Sequence, residues 1–482
     1  MKKKRLISRR ATLKGAGLAG TLSLLGASPL YAKEETPPLG PAISATNARR
    51  VIFEKVSQTP FIDTHEHLIE EKERFKGTAS PWIKSDDWSL LLACYLNSDL
   101  AASGMPDSEM NRFFSPNINP HDKWKTLEPY WPAVKNTGYG LAVRHALRTL
   151  YEVEELSAQT VRQVQAGYEK MRRPGFYRRI LCDLANIESC QVNCLSRPFM
   201  ESDSPTLLMQ DLSILGMTAG PDFKQYGPPT GLEVKNLSDW HKVIDWWYTQ
   251  YGRYAVAVKS QHAYYRDIDY EKVPAENVED LFAKRLQNKE LAPKERKALE
   301  DHLFWYAVDR ATQHQLPVKL HTGYYAGYNR MPLGRVRNNP ASATDLCRTA
   351  NQTNFVFMHI GYPYYEEMIS VAKQYANAYL DMCWAWIINP IAAKDFLKKY
   401  LLTAPANKIL TFGGDYIPVE PVLGHALIAR RGIALALAEL VEENWLSLKE
   451  ALELSDMIMH QNARQIFKLK EKTKILKNAP WS

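Results

Sequence analysis

Phe61-Ile62-Asp63-Thr64-His65-Glu66-His67 is an apolar run that ends in His-x-His. Alternate residues of a strand point the same way, so His65 and His67 can aim both imidazoles at one ion from a strand end. Taken alone, such a pair is as readily two surface histidines. The same grammar, an apolar strand closing on a metal-competent side chain, returns at Val318-Lys319-Leu320-His321, at Val356-Phe357-Met358-His359 and at Leu410-Thr411-Phe412-Gly413-Gly414-Asp415. In a parallel barrel every strand end lies on one rim, so residues far apart in sequence converge there.

Short β-branched or apolar runs bounded by turn residues predict eight strands, at 60–65, 187–194, 206–212, 254–259, 316–321, 354–359, 377–382 and 408–413. Amphipathic stretches such as 300–313 (EDHLFWYAVDRATQ) separate several of them. Strands alternating with helices imply a parallel sheet, and eight of them predict an α/β fold of the closed (β/α)8 TIM-barrel type. Between His67 and the second strand lie about 120 residues that include WSLLLACYLNS (88–98) and LAVRHALRTLYEVEEL (141–156), both helical in period. They predict a large helical insertion after the first strand, at about 70–185, over the barrel mouth. Ser447 and Glu450 have capping-box spacing and open a helix expected to run through Phe467.

The 482 residues are 45% hydrophobic and 24% charged, which excludes disordered and low-complexity classes. The net charge is +8, yet residues 1–32 hold seven positive charges and no acid, leaving +1 for the rest. A basic nucleic-acid-binding surface is therefore not expected. Ser8-Arg9-Arg10-Ala11-Thr12-Leu13-Lys14, followed by a Gly/Ala/Leu stretch and Leu30-Tyr31-Ala32, resembles a twin-arginine export signal. Residues 1–32 are expected to be a signal peptide, 33–46 (KEETPPLGPAISAT) a linker and 47–482 the barrel, with a periplasmic or otherwise exported product. No later segment reads as membrane-spanning. Gly15-Ala16-Gly17-Leu18-Ala19-Gly20 fits the dinucleotide fingerprint but follows no strand and lies in the leader.

The segments FIDTHEHL, AVAVKSQHAYYR, VKLHTGYYAGY, FVFMHIGYPYYEE, YLDMCWA, FGGDY and NARQIF, in that order from Pro60 to about Leu469, resemble the metal-dependent amidohydrolase superfamily. The likeness is to its amidohydrolase-2 branch, with the nodulin-like domains that can be fused to glutamine synthetase. That resemblance implies a divalent metal, Zn²⁺ foremost and one ion, held by His65, His67, His321 and Asp415, with His359 beside them. It implies that Asp415 is both ligand and general base for an activated water, and that His359 bonds the substrate carbonyl or shuttles a proton. Lys259 ends the fourth strand where binuclear relatives carry a carboxylated lysine. It is either that bridge between two ions or a cation facing the substrate.

Substrate contacts are expected from Lys259, from His262 and Arg266 in SQHAYYR, from Tyr324 and Arg330 with Arg335 and Arg337 in the fifth-strand loop, and from Trp384 with Trp386. Tyr130, Trp131 and Arg144 are candidates for an aromatic wall or for a packed cap. His121, His145, His241, His302, His314, His425 and His460 are scattered and set aside. Cys190 and Cys194 would lie roughly 13 Å apart on a strand, too far for a disulfide. Serine-hydrolase elbow, P-loop and zinc-finger spacings do not occur.

The expected activity is hydrolysis of an amide, lactone or ester of a small polar substrate. Non-oxidative decarboxylation or uronate-isomerase-like chemistry on the same site is the nearest alternative, and a non-catalytic periplasmic binding protein is the other. The sequence leaves the oligomeric state open.

Overall fold

The computed structural model of the chain describes residues 45–77, 83–214, 226–327 and 331–481. The expected leader, most of the expected linker and Arg330 lie outside the described residues. The first helix, Ala45–Gln58, begins inside the stretch read as linker.

Among the described residues, eight parallel strands form at the eight expected places: β1 (Phe61–Glu66), β2 (Ile187–Val192), β3 (Leu208–Gln210), β4 (Val258–Ser260), β5 (Val318–His321), β6 (Phe355–Met358), β7 (Ala378–Asp381) and β8 (Ile409–Leu410). They pair in chain order as β1-β2-β3 and β4-β5-β6-β7-β8. A parallel bridge between Leu212 and Val258 joins the two groups. β8 returns to β1 through backbone bonds that run just past the strand ends: Thr64 N–H to Phe412 O (3.0 Å), Asp415 N–H to His65 O (2.9 Å) and His67 N–H to Tyr416 O (2.8 Å). The result is a closed (β/α)8 barrel, with one departure. The connection from β2 to β3 holds no helix.

Near the centre Lys319 donates to both carboxylate oxygens of Asp211 at 2.9 Å and to Thr64 O at 2.7 Å, all without solvent. Removing either partner would strand a buried charge, so the pair fixes β3, β5 and β1 against one another. Lys319 Nζ also lies 4.9 Å from the Phe467 ring. Ile62, Met209, Val356 and Leu410 cluster with Ala463, Ile466 and Phe467, so the C-terminal segment closes one end of the barrel. That segment is capped as its spacing predicts: Glu450 N–H donates to Ser447 Oγ at 3.2 Å and Ser447 N–H to Glu450 Oε2 at 2.7 Å. It is not one uninterrupted α-helix, because a π-helical turn, Met457–Gln461, separates Leu448–Asp456 from Asn462–Ile466.

Between β1 and β2 the chain is helical, and its longest piece, Gly138–Tyr151, packs on the long helix Glu420–Glu442 after β8. A glycine allows this approach: a Cβ on Gly424 would lie 1.9 Å from Ala142 O; Gly138 does the same for the short helix Ala385–Ile388, where a Cβ would lie 2.1 Å from Ile387 O. A second element of the insertion, the short helix Glu71–Arg74, is tied to the same long helix by fully buried Arg74, which donates to both oxygens of Glu420 at 2.7 and 3.1 Å. Glu420–Glu442 is long and apolar enough to cross a membrane, but 78% of its apolar window is buried in protein, as befits a core helix.

Gly424→Ala places a methyl group against backbone that cannot rotate away. It should lower unfolding free energy by about 1–3 kcal/mol, read as a lower urea midpoint. An unchanged midpoint would show that the two helices are not in contact.

Candidate metal centre

The loop after β8 carries Asp415 to the rim with φ +64°, a left-handed conformation that L residues seldom adopt. Side chains hold that turn at almost every backbone group. Asp63 Oδ1 accepts Gly414 N–H at 3.3 Å, His425 Nδ1–H donates to Gly414 O at 3.2 Å, and Glu66 Oε2 accepts Tyr416 N–H at 2.6 Å. The phenol of Tyr95, from the insertion, donates to Asp415 O. A Cβ on Gly414 would lie 1.9 Å from Glu66 Oε1, so any larger residue there would push the Glu66 carboxylate off the turn it holds.

In this setting Asp415 Oδ1 lies 3.1 Å from His65 Nε2 and 3.2 Å from His67 Nε2, and the two nitrogens are 3.3 Å apart. Asp415 Oδ2 faces His359 Nε2 at 3.9 Å. Carbonyl oxygens set the ring tautomers, because a carbonyl can only accept. His67 Nδ1–H donates to Asn193 O at 2.8 Å and His359 Nδ1–H to Cys383 O at 2.9 Å. Each neutral ring therefore turns its Nε2 lone pair toward Asp415.

Burial holds the His65 and His321 imidazoles well below the ordinary histidine pKa and brings His359 down to about 4, so these rings are neutral at pH 7. Burial alone would raise the Asp415 carboxyl; the surrounding imidazoles of His65, His67 and His359 outweigh it and keep Asp415 well below the ordinary carboxylate range. Neutral lone pairs aimed at an ionised carboxylate repel one another until a cation sits between them. Ligand atoms around a tetrahedral ion with bonds of about 2.1 Å are about 3.4 Å apart, which the three separations of 3.1–3.3 Å approach. The residues present thus fit a divalent metal.

His321 is at the site but outside that trio. Its Nε2–H donates to Tyr324 O at 2.9 Å, while its ring lies 4.5 Å from that of His359. Lys259 is buried beside Asp415, its Nζ donating to Ser260 O at 3.2 Å, and burial lowers its pKa to about 8. Trp384 is fully buried against His359 (5.3 Å), Tyr95 (4.9 Å) and Tyr324 (6.0 Å), with its indole N–H unpartnered among the described residues.

Several expected substrate contacts are placed differently. Arg266 is spent within the fold, donating to Asp301 at 2.6 Å and Glu300 at 3.2 Å and lying over Tyr270. His262 is buried, not solvated, and shares a 2.9 Å hydrogen bond with the Tyr270 hydroxyl. Arg335 caps the carbonyls of Ala263 and Tyr264. Trp386 donates to Thr411 O at 2.8 Å, behind the rim. Trp131 and Arg144 pair with Glu155, so the aromatic wall is built by Tyr95 and Tyr139 instead.

Sequence reading also missed Glu66, Tyr95, Tyr264, Cys383 and His425. The Tyr264 ring lies 4.6 Å from His321. Glu66 and Tyr264 stood inside quoted motifs, FIDTHEHL and SQHAYYR, and their adjacency to the predicted ligands was the available signal. Nothing local marks Tyr95 or His425, whose partners are some 320 and 11 residues away in a turn that only folding creates.

Residues 276–469, which include His321, His359 and Asp415, match the family model described as amidohydrolase, and this supports the amidohydrolase superfamily. A 164-residue stretch, 34% of the chain, is 26% identical to protein fluG of Emericella nidulans and spans 18% of that relative's length. The fold overlays glucuronate isomerase from Caulobacter crescentus with a TM-score of 0.71 (16% identity, 92% of this chain and 97% of that one). It overlays uronate isomerase from Thermotoga maritima at 0.67 (14%, 87% and 97%). A putative metal-dependent hydrolase from Lactobacillus casei overlays at 0.60 (16%, 87% and 98%).

Lys259 gives the site a pH signature. Its folded pKa, about 8, lies below its ordinary 10.5, so the unfolded chain binds the proton more tightly and stability rises as pH climbs between those values. In metal-free protein Lys259→Met should gain on the order of 2–3 kcal/mol below pH 8, an advantage that fades toward pH 10.5. A pH-independent difference in denaturant midpoint between variant and wild type would place the amine in water.

Proposed function

We propose that the protein is a metal-dependent hydrolase of the amidohydrolase type, acting on an amide, lactone or ester of a small polar substrate. The observation that carries this reading is the Asp415 carboxylate held 3.1 and 3.2 Å from the Nε2 atoms of His65 and His67. His65, His67 and Asp415 would hold one divalent ion, Zn²⁺ by the donor set, and His321 would join them by turning from the Tyr324 carbonyl. The ion supplies Lewis acidity at the substrate oxygen and lowers the pKa of water.

The chain's own groups do the rest. Asp415, ionised and fixed by its turn, takes the proton of the attacking water at a carboxylate oxygen and returns it to the leaving atom. His359 Nε2 carries a lone pair, so it can receive a proton but cannot donate to a substrate carbonyl, which favours the second of its two expected roles. Lys259 holds an anionic or strongly polar group of the substrate. Trp384, Tyr95 and Tyr324 supply a wall that excludes water and strengthens these interactions.

The second reading is isomerisation of an acidic sugar on the same groups, brought forward by the whole-length overlap with the uronate and glucuronate isomerases. Asp415 would then move a proton between carbon positions and Lys259 would take the substrate carboxylate. A panel of esters, lactones and amides read by acid release, run beside uronates read by aldose-to-ketose conversion, separates the two. Bound metal with turnover in neither assay would favour a binding protein.

Asp415→Asn should retain the fold by circular dichroism and lower kcat by about 10²–10⁴-fold. His65→Ala/His67→Ala should lose the bound ion by elemental analysis. Wild-type turnover in the first or full metal content in the second would end this assignment.

We also propose export by the twin-arginine route, on the strength of Arg9-Arg10 within the basic leader. Arg9→Lys/Arg10→Lys should leave the full-length precursor in the cytoplasmic fraction, whereas wild type should fractionate with exported proteins at reduced mass. Equal distribution of the two forms would remove the signal reading.

A further inference from the structure

The insertion carries a concentrated run of positive charge. Five of the ten residues 170–179 (KMRRPGFYRR) are lysine or arginine and none is an acid, although residues 33–482 together amount to +1. Arg172 is spent on Asp86 at 2.8 Å. The side chains of Lys170, Arg173 and Arg179 make no ion pair or hydrogen bond among the described residues, and all three line one cleft of about 590 Å³. Glu152 is the one acid in that lining, so two positive charges are in surplus. Buried Leu150, Tyr151 and Phe176 give the cleft an apolar floor.

The walls are set without a ligand. Gly167 lets the helices Gly138–Tyr151 and Val161–Met171 close up, since a Cβ there would lie 2.7 Å from Tyr151 Cδ1. Gln163 Nε2 donates to the carbonyls of Tyr151 and Glu152 at 3.2 and 3.3 Å and ties off the end of the first of these helices. On the other side Glu71 accepts Gly175 N–H at 2.6 Å and Tyr177 N–H at 3.0 Å, which anchors the turn between Arg173 and Arg179. A cleft of this size falls in the range of small-molecule sites, and fixed walls spare a ligand the cost of ordering them.

We propose that this cleft binds a small phosphate monoester with an apolar body, at a site apart from the candidate metal centre, none of whose residues line it. A phosphate monoester carries about two negative charges at pH 7, which matches the surplus. Arg173 and Arg179 can each present paired N–H groups to its oxygens, and Lys170 adds a point charge. The aliphatic or aromatic body of the ester then covers Leu150 and Phe176, and a monocarboxylate would leave one positive charge unmatched. The competing account is that Lys170 and Arg173 only complement the carbonyl end of Val161–Met171. It does not reach Arg179, which with Arg178 stands in the first turn of the helical segment that begins at Phe176, where the helix dipole disfavours a cation.

The test is calorimetric titration of the full-length protein, as purified, with phenyl phosphate and separately with inorganic phosphate. Wild type should bind one equivalent of phenyl phosphate about tenfold more tightly than inorganic phosphate, and the affinity should fall as salt is raised. Arg173→Gln/Arg179→Gln should weaken binding by about tenfold or more, with unchanged circular dichroism and metal content. Should that variant fail to fold, Lys170→Gln, expected to weaken binding about threefold, takes its place. Affinity unchanged by these substitutions overturns the cleft and moves the ligand to the metal centre. No binding by wild type overturns it, as does inorganic phosphate bound as tightly as the ester. Phosphatidylcholine vesicles containing phosphatidic acid form the last arm: capture by them without binding of phenyl phosphate overturns the small-molecule site in favour of a membrane surface.

Discussion

Everything at the rim depends on the seam where β8 meets β1. Asp415 N–H donating to His65 O and His67 N–H donating to Tyr416 O interleave the two segments, so that an aspartate and a histidine pair about 350 residues apart become neighbours. Backbone bonds are directional, so they fix where the side chains rooted on either side of the seam emerge. The buried Lys319–Asp211 pair and the C-terminal plug hold the cylinder in shape beneath it.

Upon that frame the chemistry is tuned by which ring nitrogen keeps its proton. Asn193 O, Cys383 O and Tyr324 O each take one N–H and thereby decide where a lone pair points. On the acids below the rim, burial and mutual repulsion act in the same sense. Asp63, pushed up to about 7 chiefly by burial, and Glu66, raised well above the carboxylate range by burial and by Asp63, do not both ionise, which leaves Asp415 as the charged carboxylate that faces the imidazoles. The insertion reaches this centre through Tyr95, so the cap and the turn of Asp415 are one structure.

The fold was legible because parallel barrel strands are short, apolar and punctuated, and because helix-period sequence between β1 and β2 cannot join a sheet. The candidate cluster was legible because its members follow strands directly: the structure gathers His65, His67, His359 and Asp415 at one rim, with the His321 ring beside His359. What failed were residues whose partners are remote. Arg266 reads as a free cation until Asp301 and Glu300, on a helix some 35 residues later, take it up. Tyr95 reads as core in an amphipathic pattern, and it is core, but with a hydroxyl that finds the Asp415 carbonyl. The π-helical turn at Met457–Gln461 likewise leaves no mark in a periodicity count, since it shifts register by one residue only.

The seam also bears on how the molecule comes into being. A ribosome delivers His65 and His67 early and Asp415 late, and the helix Glu420–Glu442 that braces Ala45–Gln58, through Arg49 on Glu442 at 2.7 Å, later still. The nascent chain therefore has one half of the candidate metal centre for most of its synthesis, and β1 waits for its β8 partner. The low sequence locality of this closing contact makes it slow relative to helix formation. The candidate metal centre is thus completed only in a nearly finished chain.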